Sequence, residues 1–168
     1  LDLAGVDIKQ ERFNHLDGYS LLDVAAGEAP KREYILGETN VVVGSRAYLH
    51  SKRFRFSMRT RPPGAATGER MRWALDADAN DVDMALYDLA VDPLERQNVA
   101  DTEAYRPLAL WLRNKLGNIV LGDGRIEVDW SQENSYVESN FAEGADDKRL
   151  DIPKDLIPSV PQNVATNK

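Results

Sequence analysis

The chain has 168 residues, of which 42% are hydrophobic and 29% charged, enough for one domain with a modest core and too few for two. Twenty-one Lys and Arg against 28 Asp and Glu give a net charge of -7, so general attraction to nucleic acid is disfavoured. The absence of cysteine excludes disulfides, thiolate metal sites and cysteine nucleophiles, and no run of about 18 apolar residues is present to span a bilayer.

The chain opens on "LDLAGV", where Leu1, Leu3 and Ala4 before Gly5 read as the last turn of a helix with its C-terminal glycine. A helix end without a beginning predicts a fragment of a longer protein. Ser20-Leu21-Leu22-Asp23 has capping-box form, and Gly27 closes the short helix it starts. Tyr34 to Glu38 and Arg46 to His50 read as strands. Arg53 to Arg59 alternates strictly, with Phe54, Phe56 and Met58 on one face and Arg53, Arg55, Ser57 and Arg59 on the other. Ser51-Lys52 is short enough for a hairpin.

After a loop, Pro62 to Gly68, and an acidic loop, Asp76 to Asp83, the stretch "ALYDLAVDPLERQN" supplies a fourth strand, Ala85 to Leu89, and a sharp exit. Asp92 can cap, Pro93 suits a first helical position and Glu95 stands where a capping-box acid would. A helix is expected from about Ala104 to Arg106, with Pro107 in its first turn, Leu108, Trp111, Leu112 and Leu116 as its apolar stripe and Gly117 as its stop. Arg125 to Trp130 alternates and reads as an edge strand. Glu143 to Lys168, with three prolines, reads as an extended tail that wraps something or is disordered.

Little in the chain can carry catalysis. "DADANDVDMALY" starts like a calcium loop with Asp76, Asp78 and Asn80, but Asp81 stands where glycine is needed and Tyr87 where the bidentate Glu is needed. Ser-His-Asp, HExxH, P-loop and GxGxxG patterns are absent. Charge is segregated: Arg46 to Arg72 holds eight Lys or Arg against Glu69, and Asp76 to Glu103 holds nine acids against Arg96. The basic segment fits an anion, because arginine offers a planar fork to sulfate, phosphate or carboxylate. Its alternation, however, favours rings in the core with arginines solvated or paired to the acidic loops. His15 reads as a turn residue; His50 ends a strand beside the basic cluster, either to touch a ligand or as an ordinary surface histidine.

"ALYDLAVDPLERQNVA" resembles the "ELYDLxxDPxExxNLA" signature near the C-terminus of the type I, formylglycine-dependent sulfatases, of the alkaline-phosphatase-like superfamily. In the same order, "LDLAGVDI", "LDGYSLLDVAAGEAPKREYILGE" and "RAYLHSKRFRF" resemble that family's "LDLAGV", "DGxSLxPLLxG" with "RxYxxxE", and "AVRTxRYKYI" segments, so the likeness covers Leu1 to Leu116. It implies an α+β C-terminal subdomain, a small antiparallel sheet of about four strands packed against a C-terminal helix, over residues 1–117. Residues 118–168 would form an extension and a tail packing on the catalytic domain or disordered.

The partner so implied is an N-terminal sulfatase catalytic domain, which would hold the formylglycine nucleophile and a calcium ion. The C/S-x-P-S/A-R motif and the metal ligands are not in this sequence, so no catalytic residue and no bound cofactor are expected here, and the chain alone should be inactive. Its share would be the pocket rim, with Glu38, Asn40, Arg46 and His50 as candidate substrate-binding residues. Tyr48-Leu49-His50 stands where the family has Val-Arg-Thr. "GNIVLGDGRIEVDWSQENSY" looks like bacterial sulfatases of sulfated polysaccharides, which implies a sulfated carbohydrate substrate, and the family resemblance as a whole implies a periplasmic or secreted location; the acidic net charge and the lack of a long apolar run lead to an expectation of neither nucleic-acid nor membrane partners. A related phosphonate or phosphodiester hydrolase and a non-catalytic module for anionic glycans are the alternatives.

Overall fold

A strand in which Phe54, Phe56 and Met58 alternate with Arg55, Ser57 and Arg59 must bury one row and wet the other. The computed structural model describes residues 2–7, 20–28, 33–39, 46–64, 70–121 and 149–160, and in it the three apolar side chains are buried, Phe56 and Met58 completely. This strand, β3 (Phe54–Arg59), lies in a four-stranded antiparallel meander with β1 (Tyr34–Thr39), β2 (Arg46–Ser51) and β4 (Ala85–Asp88), in the order β1-β2-β3-β4. Leu36 pairs with Leu49, Leu49 with Phe56 and Phe56 with Leu86, which makes one apolar row across the sheet. Ile35, His50, Arg55 and Tyr87 form the next row, on the opposite face.

The apolar face is covered by helices. α1 (Leu21–Ala26) stands apart: Ser20 Oγ accepts the Leu22 amide at 3.2 Å, Gly27 closes the helix at φ 75°, and none of its residues is buried. α2 (Arg70–Asp76) packs on α3 (Arg106–Leu121), and α3 packs on β2 and β3 through Leu108, Leu112 and Leu116, all buried. Asp2–Ala4 forms a single 3-10 turn ending at Gly5, whose φ of 75° is the left-handed conformation expected of a terminating glycine.

Three expectations need correction. α2 falls between the two expected loops, where no element was expected, and takes in Asp76 of the second; seven residues are too few to hold a helix by local propensity, and tertiary contacts with α3 hold it instead. α3 runs through Gly117 to Leu121, so Gly117 is not its stop. A Cβ at this position would lie 2.5 Å from Leu75 Cδ2, and the glycine is what allows α2 to approach α3 closely. Gly117→Ala should therefore destabilise the protein by about 1–2 kcal/mol in spite of alanine's better helix propensity. A melting temperature equal to or above that of the parent would show the contact to be loose.

Third, Asp92-Pro93 starts no helix. Residues 91–100 form turns, in which the Asp92 carbonyl accepts the Glu95 amide at 3.1 Å and its Oδ2 accepts the Gln97 amide at 2.8 Å. Glu95, at φ 54°, turns its carboxylate to Arg55 rather than back to a cap. Asp92→Ala is expected to cost about 1 kcal/mol through the lost turn hydrogen bond; unchanged thermal unfolding would contradict that role.

The extended tail is described over 149–160, and there it packs on this chain's own core. Leu150 is buried, and Ile152, Leu156 and Ile157 lie against the core cluster. The expected edge strand, Arg125 to Trp130, and His15 lie outside the described residues.

Candidate functional site

The exit from β4 is densely hydrogen-bonded, and the polar residues of the "LYDL…DP…N" stretch are at its centre. The Asp88 side chain is completely shielded from solvent. Its Oδ1 accepts Arg53 Nε at 3.0 Å and the Ala90 amide at 3.1 Å, and its Oδ2 accepts Arg53 Nη2 at 2.7 Å and the Tyr105 hydroxyl at 2.9 Å. The guanidinium fork thus meets the carboxylate with two parallel bonds, the strongest form of this pair. It also lies over the Phe54 ring, 4.8 Å from the centroid.

Burial works to raise the Asp88 pKa, but the hydrogen bonds from Arg53, Tyr105 and Ala90, with the charge of Arg53, outweigh it and hold the carboxyl below its usual value. Burial, and then the hydrogen bond to Asp88, push Tyr105 up, so its hydroxyl keeps its proton and donates. Farther along, Asn98 folds back on β4. Its Oδ1 accepts the Leu86 and Ala100 amides at 2.9 and 3.0 Å, and its Nδ2 donates to the Met84 carbonyl at 3.0 Å. With the Val99 amide on the Leu86 carbonyl at 2.9 Å, these bonds close the outer edge of β4.

Of the candidate rim residues, Arg46 and Glu38 lie toward one end of the β1-β2 pair and His50 toward the other. Arg46 opens β2, and its side chain is only 15% exposed because Nη1 and Nη2 grip the Asp83 carboxylate and carbonyl, each at 2.6 Å, while Nη2 also donates to Ser57 Oγ at 3.2 Å. Asp83 is set for this by a left-handed backbone, φ 48°, and also pairs with Arg59 at 3.3 Å. Arg55 pairs with Glu95 at 2.7 Å. The outer-face arginines are thus matched by carboxylates of the acidic segment, the outcome the charge segregation allowed, and the basic strip does not stand as an uncompensated anion surface.

His50 lies at the far end of β2, four residues from Arg46 and roughly 13 Å along the strand. It lines a depression of about 320 Å³ with Glu33, Tyr34, Ile35, Ser51 and Lys52. Glu38 pairs with Ala47 near the other end of β1. Asn40 lies outside the described residues. Between the two ends, Tyr48 crosses Gly37, where any side chain would run into its ring.

In the acidic loop Asp78 Oδ1 accepts the Asn80 amide at 2.8 Å, and Asp83 is held by arginines. Among the described residues no three His, Asp or Glu side chains come together as a group that could hold a metal ion. No described helix is long and apolar enough to cross a membrane. No protein-family model matches the chain, and no curated protein matches it.

Residues that sequence reasoning missed are structural ones. Arg113 of α3 is buried and donates Nε to the Ala74 carbonyl at 2.8 Å and Nη2 to those of Leu75 and Ala77 at 2.9 and 2.5 Å. These are orphan acceptors at the C-terminal end of α2, and a cation is favoured there by the helix dipole. Burial lowers the Arg113 pKa. An arginine inside an apolar helical stripe was the available signal, since a charged side chain at such a position needs partners.

Proposed function

We propose that this chain is the C-terminal accessory part of a sulfate-ester hydrolase acting on a sulfated carbohydrate, exported to the periplasm or secreted. The nucleophile, as formylglycine, and a calcium ion would belong to a catalytic part outside these 168 residues. The observation that carries the reading is the use of the signature residues. Asp88, Asp92 and Asn98 are each committed to holding the exit from β4, as expected if the resemblance rests on a structural join and not on catalytic groups. A meander of four strands under a long helix agrees with the subdomain that the resemblance implies.

On this reading the depression beside His50 is the part of the rim able to meet substrate, while Arg46 orders the acidic loop. Coding sequence upstream of Leu1 is expected to contain Cys or Ser in a C/S-x-P-S/A-R context, and the complete enzyme is expected to cleave sulfate esters in preference to phosphate esters. Absence of that motif would overturn the reading. Preference for phosphate diesters or phosphonates would move the chain to the related hydrolases. The pairing of Arg46, Arg55 and Arg59 with acids speaks against a stand-alone anionic-glycan module; salt-sensitive retention of this chain on a sulfated polysaccharide would restore it.

A further inference from the structure

The segment 149–160 meets the rest of the molecule in an unusual way. Its apolar side chains, Leu150, Ile152, Leu156 and Ile157, rest on the core, yet among the described residues its backbone-to-backbone hydrogen bonds stay within the segment. Leu156 N donates to the Pro153 carbonyl at 3.0 Å and Ile157 N to that of Lys154 at 3.3 Å, forming the turn Lys154–Leu156. The segment is not a fifth strand. At each end a hydrogen bond ties it to a residue that immediately precedes a strand: the Leu150 amide donates to Glu33 Oε2 at 2.8 Å, and Arg53 Nη2 donates to the Pro158 carbonyl at 2.6 Å.

Both ties lie at the end of the sheet that carries the depression. Glu33 lines that depression, and Arg53 directly follows Ser51 and Lys52, which line its other wall. The turn that joins Ser51 and Lys52 to Arg53 is bonded across its ends: Ser51 Oγ accepts the Phe54 amide at 2.9 Å and donates to the Phe54 carbonyl at 3.0 Å. Arg53 thus shares one hydrogen-bonded turn with Ser51 and Lys52. Arg53 is also the residue that grips Asp88, so seating of the tail and closure of the β4 exit share one guanidinium.

We infer that residues 149–160 are a strap that opens and closes as a unit over an intact sheet, latched at Glu33 and Arg53, and that its seating sets the walls of the depression beside His50. A segment with no backbone ladder to the sheet, in which Leu150 is buried but Ile152, Leu156 and Ile157 are only half-buried, opens at lower free energy than the sheet itself. This inference does not depend on the enzymatic reading.

The test is amide exchange on the full-length chain. In the parent protein the Leu156 and Ile157 amides should exchange faster than those of Leu49 and Phe56, yet slower than in a free peptide of residues 149–160. Arg53→Lys, which keeps the charge but loses the fork, should raise strap exchange by roughly tenfold or more and speed tryptic cutting after Lys154. Because Arg53 also serves Asp88, Leu156→Ser is the second variant; it should open the strap with sheet amides unchanged and shift the His50 ring and Ile35 methyl resonances. Strap amides that exchange only with global unfolding, or at free-peptide rates, would overturn the inference. So would a strap opened by Leu156→Ser with unmoved His50 and Ile35 signals.

Discussion

Asp88→Ala is expected to destabilise the protein by about 3 kcal/mol, the range for removing one partner of a buried ion pair. At roughly 3 °C per kcal/mol for a domain of this size, the melting temperature should fall by about 9 °C. The cost comes from what is left behind: Arg53 loses a bidentate partner, and the Tyr105 hydroxyl and the Ala90 amide lose their acceptor. The ion pair has a sign in pH. The folded-state pKa of Asp88 lies below its unfolded value of about 3.9, so its contribution is complete above that value and is lost as pH falls through the folded pKa. The stability difference between the parent and Asp88→Ala, measured by denaturant unfolding, should therefore be constant near neutrality and shrink below about pH 4. A difference that stays constant into acid would show that the carboxylate's charge contributes nothing.

Arg113→Met should cost about 2–3 kcal/mol, with the damage centred on α2. Methionine keeps the apolar stem inside the helix stripe, so the loss isolates the three carbonyls of Ala74, Leu75 and Ala77 that the guanidinium serves. Arg113→Lys should recover less than half, because one ammonium cannot reproduce a planar fork aimed at three oxygens. Faster exchange at the Ala77 amide, which donates to the Trp73 carbonyl at 2.8 Å, would place the lesion at the end of α2. Exchange unchanged there, with a lowered global stability, would show that Arg113 acts on the core as a whole and not as the tie of α2.

The two residues with the largest expected effects differ in how visible they were. Asp88 stands in a quotable motif, but its partners Arg53 and Tyr105 are 35 and 17 residues away, and no local pattern joins them. Arg113 stood in plain sight among Leu112, Leu116 and Trp111, and only burial gives it meaning. At the candidate rim, the strand-end positions of Arg46 and His50 were legible from alternation. The commitment of Arg46 to Asp83 was not, because it depends on where a loop 37 residues later returns to the sheet.

Local chemistry in the chain determined the four strands, the capped helix after Ser20 and the start of the long helix near Pro107. Each follows from side-chain period or from backbone restrictions that act over a few residues. The tertiary structure alone decided that residues 70–76 coil into α2, that Gly117 is a place of close helix contact and not a stop, that the acidic segment neutralises the arginine face, and that the proline-bearing tail returns to its own core. Those outcomes depend on which groups meet after the chain has folded back, and a short helix, a buried cation or an extended strap is stable only against the surface it meets.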